Sequence, residues 1–212
     1  GTGGEAQGDQ FFDIEGVIGS VFADTLVGSA GANFISGGAG DDVMTGGAGA
    51  DTISGGLGID TVDFTTSTVG VSVNLQTGLG AGGDAQGDVI YGVENLTGSA
   101  LTDSLVGDAS ANILDGDLGD DTLIGGGGAD TLLGGDGNDV LSGGAGADQI
   151  FGGAGMDTAD YSSSVDSVSV NLANASSSGG DAQGDIFSGI ENLKVSANAD
   201  HLVGDSGANL IE

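Results

Sequence analysis

The stretch from Gly125 to Ser142 reads GGGGADTLL GGDGNDVLS, two nine-residue units of the form Gly-Gly-x-Gly-x-Asp-x-apolar-x. Stepping by nine in both directions from it accounts for most of the chain. A period this short constrains the fold more than any other feature. Each unit offers one apolar residue and cannot bury it alone; stacked units can, so the repeat predicts a solenoid.

The chemistry of one unit follows from its residue types. The Gly-rich positions one to four let the backbone take conformations that a Cβ forbids. Such a turn can aim several carbonyl oxygens at one point, and the Asp at position six adds a carboxylate. Carbonyls and carboxylates together suit a hard cation such as calcium. Positions seven to nine form a short strand. Its middle residue (Leu132, Leu141) points opposite to its neighbours and faces the core. Two units then make one coil with two turns, and like turns stack on each side.

Eight stretches match this form closely. They resemble the RTX nonapeptide repeat, GGxGxDxUx, of bacterial proteins exported by type I systems. The resemblance implies an all-β fold, a parallel β-roll: a right-handed β-solenoid with two nonapeptides per coil, here with β linker segments between arrays. It implies calcium ions between stacked turns, held by carbonyl oxygens and position-six carboxylates. Carried onto this chain, the carboxylates are Asp42, Asp51, Asp60, Asp121, Asp130, Asp139, Asp148 and Asp157. The turn residues beside them are Gly37, Ala39, Asp41, Gly46, Ala48, Ala50 and Gly55 in the first array. In the second they are Gly125, Gly127, Ala129, Gly134, Asp136, Asn138, Gly143, Ala145 and Ala147. Asp24 and Asp103, in irregular units, are further candidates. With two turns per ion, about eight calcium ions are expected, mostly in the longer array. The resemblance also implies export and folding outside the cell, in a secreted or cell-surface protein.

Charge agrees with a cation scaffold. The 212 residues carry 32 carboxylates against one lysine (Lys194), no arginine and one histidine (His201), a formal charge of −31. Uncompensated, that charge opposes compaction. The 47 glycines and the acidic bias would ordinarily indicate disorder. The regular spacing of the carboxylates argues instead that they share cations. Nucleic acid and anionic membranes are not expected partners, because almost nothing neutralises phosphate. No apolar run reaches membrane-spanning length.

Longer repeats overlie the short ones. Gly3 to Asp9 (GGEAQGD) returns as GGDAQGD at 82–88 and 179–185, at offsets of 79 and 97 residues. The offsets differ by 18, one whole coil, which keeps the two sides in register. Residues 1–18 read as the tail of a linker repeat, 19–63 as five nonapeptides, 64–97 as a linker, 98–160 as seven nonapeptides, 161–194 as a second linker, and 195–212 as the start of a third array. In 64–97, alternation of Val71, Val73 and Leu75 predicts a half-buried strand. Leu96 falls at a core position with Glu94 at the Asp position, so this rung continues the solenoid. Phe64 and Tyr161 are placed to cover the ends of the arrays. GGDAQGD, with two carboxylates four residues apart, reads either as a separate calcium site or as a polar turn. Asn33, Asn112 and Asn209 replace Asp at position six and are weak ligands or simple turn formers.

The leading functional expectation is a calcium-binding structural module. The chain starts inside one repeated motif and stops inside another, as a segment of a longer protein would. A second reading is the calcium-binding tail of a secreted protease, lipase or polysaccharide epimerase. A third is a filament, since open solenoid ends would let chains stack end to end. Catalysis by the segment itself is not expected, because one histidine and no cysteine leave little for nucleophilic or metal chemistry.

Overall fold

The computed structural model describes residues 14–212; Gly3 to Asp9 lie outside them. The chain winds as a solenoid whose strands form two long sheets. One holds eleven strands, centred in order on Val17, Ile35, Ile53, Ile90, Gly80, Val73, Leu105, Leu123, Leu141, Ala159 and Leu193. The other holds eight, centred on Leu26, Met44, Val62, Leu96, Leu114, Leu132, Ile150 and Phe187. Within the arrays each strand pairs in parallel with the one 18 residues on, as in Ile35↔Ile53 and Leu114↔Leu132. One coil is therefore two nonapeptides.

Position eight supplies the core. Ile35, Met44, Ile53, Val62, Leu105, Leu114, Leu123, Leu132, Leu141, Ile150 and Ala159 are all fully buried. The flanking position-seven and position-nine side chains point away, as the two-residue period of a strand requires. Strands are longer than positions seven to nine where complete turns stack. Thr122–Gly127, Thr131–Asp136 and Val140–Ala145 run on into the first three residues of the next turn. Among the described residues the only helical segments are single 3-10 turns at Gly83–Ala85, Leu172–Asn174 and Gly180–Ala182.

The linkers continue the solenoid with a different pitch. Ile53 pairs with Ile90 and Val62 with Leu96, at separations of 37 and 34 residues. Ile150↔Phe187 and Ala159↔Leu193 repeat both separations in the second linker. The step from one sheet's core residue to the other's, half a coil and nine residues in the arrays, is only six in each linker (Ile90 to Leu96, Phe187 to Leu193). The residues this leaves over form an antiparallel hairpin, Ser72–Asn74 with Leu79–Ala81, inserted in the eleven-stranded sheet. The second copy, Ser169–Asn171 with Ser176–Ser178, belongs to a separate three-stranded sheet. Phe64 and Tyr161 are buried, each just beyond the end of an array.

Equivalent rungs alternate sides. Val17 lies in the eleven-stranded sheet, its counterpart Leu96 in the other, and Leu193 in the first again. The arrays hold five and seven units, odd numbers, so each long repeat ends on the side opposite to where it began. The one-coil difference between the long offsets preserves this alternation and does not hold the copies to one side.

Candidate metal centre

Each complete turn is built the same way. Position two takes positive φ, for example 105° at Gly126 and, in the Asp121 turn, 69° at Asp117, as do most position-four glycines, such as Gly128 at 111°. Position one needs glycine for space. A Cβ on Gly134 would run into the Asp139 Oδ2 of its own turn and the Gly152 carbonyl oxygen of the next coil. Gly37, Gly116 and Gly125 meet the equivalent pair of oxygens. A carboxylate oxygen and a carbonyl oxygen therefore converge over the first glycine of these turns.

The position-six carboxylates form two stacked ladders. The backbone N–H of each position-six residue donates to Oδ1 of the position-six Asp one coil on. Asp42 donates to Asp60 (2.8 Å), Asn112 to Asp130 (2.8 Å), Asp121 to Asp139 (2.8 Å) and Asp139 to Asp157 (2.9 Å). One oxygen of each carboxylate is thereby a structural acceptor. The other, Oδ2, is buried with no hydrogen-bond partner among the described residues in Asp42, Asp51, Asp60, Asp121, Asp130, Asp139, Asp148 and Asp157. These are the eight carboxylates that the repeat assigned to metal. Asp88 is a ninth.

Other oxygens bear on the same turns. The position-five carbonyls of Asp41, Ala50, Ala129, Asn138 and Ala147 accept no hydrogen bond from the described residues. The position-three carbonyls of Asp136 and Ala145 already accept from Gly119 and Gly128, leaving one lone pair each. Position-five side chains build an outer ladder on the exposed rim: Asp41 accepts from Ile59 N–H and Asp120 from Asn138 N–H. Among the described residues no three His, Cys, Asp or Glu side chains gather at one point. A cation here would draw mostly on backbone carbonyls, with the carboxylate supplying charge, which suits calcium's preference for several oxygen ligands.

Burial sets the electrostatics. Desolvation is the largest influence on every raised carboxyl group in the turns. It pushes Asp121 up to about 7 and Asp130 and Asp157 to about 6, against the opposing pull of the backbone N–H each accepts. Asp51, Asp60, Asp139 and Asp148 are raised for the same first reason. Buried carboxylate oxygens facing other oxygens are costly unless a proton or a cation joins them. The donor set is hard, anionic and preformed, and calcium fits it.

The irregular turns close themselves. In Asp103, Oδ2 accepts from Ser99 N–H, and Oδ1 accepts from Val71 N–H and the Ser99 hydroxyl. Asp24 Oδ2 likewise accepts from Ser20 N–H. Neither has the orphaned oxygen of a complete turn. Asn112 accepts from Asp108 N–H through Oδ1, which turns its amide nitrogen onto the Glu94 carbonyl at 2.7 Å. Asn209 does the same to Glu191 (2.9 Å). At these positions an amide N–H bridges two coils.

Two further sets of residues take the position-six place, of which the nonapeptide register reached only the glutamates. Asp88 and Asp185, the last residues of the GGDAQGD motifs, take the position-six place above Asp51 and Asp148, accepting their N–H groups at 2.8 and 2.9 Å. Glu94 and Glu191 do so above Asp60 and Asp157 through Oε2, both at 2.9 Å. His201 is exposed on its short strand, away from any such turn.

A parallel solenoid whose stacked glycine turns carry ladders of half-satisfied buried carboxylates defines a class: a repeat scaffold built around oxygen-ligated cations. The family model for the RTX calcium-binding nonapeptide repeat matches the chain four times, over residues 18–53, 27–62, 97–132 and 124–159, together half of its length. The chain belongs to that family, and its turns are those of a calcium-binding repeat. No curated protein matches the chain.

Proposed function

We propose that this chain is a calcium-dependent structural module of a larger secreted or cell-surface bacterial protein. About eight ions occupy the stacked turns of the two arrays, each held by position-six carboxylates and the carbonyls of positions one, three and five. The observation that carries this reading is the set of eight buried carboxylate oxygens, one per complete turn, with no partner. Where calcium is scarce, repulsion within a chain of formal charge −31 opposes folding. Where it is millimolar, as outside the cell, binding and folding are one event, because the unfolded chain has no such site.

Far-UV circular dichroism of the chelated protein during a calcium titration, with magnesium as control, tests this. The expected result is a cooperative gain of β signal at sub-millimolar to millimolar calcium and none with magnesium, which demands near-octahedral geometry and gives up its waters reluctantly. A spectrum indifferent to calcium would overturn it.

A further inference from the structure

We propose that the first linker builds a cation site of its own at Asp88, and that in the second linker the Tyr161 hydroxyl stands where that cation would be. Asp88 and Asp84 lie outside the residues matched by the family model, and Asp51 beneath them lies inside. It deepens the reading of the turns as calcium sites and rests on it.

The two linkers place Asp88 and Asp185 identically. Val89–Tyr91 lies in register against Thr52, Ile53 and Ser54, and Ile186–Ser188 against Gln149, Ile150 and Phe151. Each carboxylate accepts the N–H of the position-six Asp beneath it through Oδ1. Their second oxygens differ. Asp185 Oδ2 accepts the Tyr161 hydroxyl at 2.7 Å. Asp88 Oδ2 is buried with no partner, in a residue 1% exposed. The residue matching Tyr161, 97 positions earlier, is Phe64, equally buried but lacking the hydroxyl. One oxygen atom on one ring separates a satisfied carboxylate from an orphaned one.

The surroundings of Asp88 are those of a cation site. Asp51 beneath it carries its own buried, unpartnered Oδ2. The Asp84 carboxylate is close enough for its charge to bear on both Asp51 and Asp88. Two stacked buried carboxylates, Asp51 and Asp88, each with an unpartnered oxygen and no basic neighbour, require a cation or a proton. An all-oxygen set selects a hard divalent ion of the calcium class over a softer metal. Neutralisation of Asp88 by a proton is the competing outcome.

The test is calcium stoichiometry by equilibrium dialysis on the full chain at saturating calcium, each variant first shown to be folded by circular dichroism. Asp88→Asn and Phe64→Tyr are each expected to bind one ion fewer per chain. Asp185→Asn is expected to bind the same number, and Tyr161→Phe one more, a gain that misfolding cannot imitate. Asp139→Asn, in an ordinary turn, is the control. If it loses an ion while Phe64→Tyr and Tyr161→Phe leave the count unchanged, Asp88 is held by a proton and the proposal fails. If the Asp139 variant also leaves the count unchanged, the reading of the turns fails with it.

Discussion

The substitution Asp139→Asn separates the two jobs of a position-six carboxylate. Asp139 is fully buried; Oδ1 holds the N–H of Asp121 at 2.8 Å and Oδ2 has no partner. Asparagine that keeps Oδ1 as the acceptor for Asp121 replaces the orphaned oxygen with an N–H donor facing the Gly152 carbonyl, the reverse of Asn112, whose Oδ1 faces its own turn and whose amide nitrogen donates to Glu94 in the coil beneath. Without calcium the variant should be more stable by about 1–3 kcal/mol, the usual cost of a buried unsatisfied polar group. With calcium it should be less stable. A site that binds only the folded chain adds about 2.7 kcal/mol at a hundredfold excess over its Kd, and about 1.4 kcal/mol for each further tenfold. Urea unfolding followed by circular dichroism, repeated over a series of free calcium concentrations, measures that slope. The Asp139→Asn slope should fall by about 1.4 kcal/mol per decade of calcium, so that the two stability lines cross. Asp103→Asn should leave the slope unchanged, because both oxygens of Asp103 are already held within the protein. Parallel lines for Asp139→Asn would refute the reasoning and leave Asp139 as a hydrogen-bond acceptor alone.

Asn112→Asp is the converse: it removes the amide bridge to Glu94, costs about 1–3 kcal/mol in chelator, and should steepen the calcium slope, whereas an unchanged slope counts against the amide as a substitute for metal. Acid should fold the chelated chain. Asp121, Asp130 and Asp157 titrate near 7, 6 and 6 when folded, above the ordinary value of about 3.9, so the folded state binds protons more tightly. Their contribution is fully present below about pH 4 and is lost as pH rises through 6 to 7; β signal in chelator should follow that course, and a flat profile from pH 4 to 8 would contradict it. In saturating calcium the trend should reverse, because protons compete with the metal for the same oxygens. Gly134→Ala should abolish its site without demanding a forbidden φ, since the added methyl lands between Asp139 Oδ2 and the Gly152 carbonyl; a calcium count equal to wild type argues against that crowding. Leu123→Ala, at a fully buried rung, should cost about 2–5 kcal/mol with or without calcium, and an effect confined to one condition would tie the core to the metal more closely than the geometry does.

What the sequence made legible was whatever repeats every nine residues. A strand of period two with one apolar residue has one way to face a shared core, so the buried positions from Ile35 to Val62 and from Leu105 to Ala159 follow from spacing alone. The carboxylates follow for the same reason. A position held five residues after a crowded glycine folds back over it, and the eight turns that match the motif closely, one of them with Asp117 in place of the second glycine, are the array turns with an orphaned oxygen. The serine-capped and asparagine-bridged turns show why the motif's departures matter. Ser99 and Asn112 supply from within the chain the donors that complete turns lack, and their partners lie in the chain's own turn and in the coil beneath.

The linkers resisted the same reading because their pitch is not nine. Stepping forward from Leu96 meets Leu105 correctly, but stepping backward misses Ile90, which lies only six residues away on the opposite sheet. Asp88 and Glu94 both stand at position six of one shortened coil, and a nine-residue ruler can find only one of them. The contact between Tyr161 and Asp185 was hidden for a different reason. It spans 24 residues, through a buried ring whose counterpart is Phe64. Phe for Tyr reads as a conservative exchange between repeats until the carboxylate at the end of the ring is located. Its effect then depends on what else can satisfy that oxygen, and in a chain with one lysine and no arginine the remaining choices are a hydroxyl, a proton and a metal ion. The repeats therefore differ most in chemistry where they differ least in composition, at the joints between arrays.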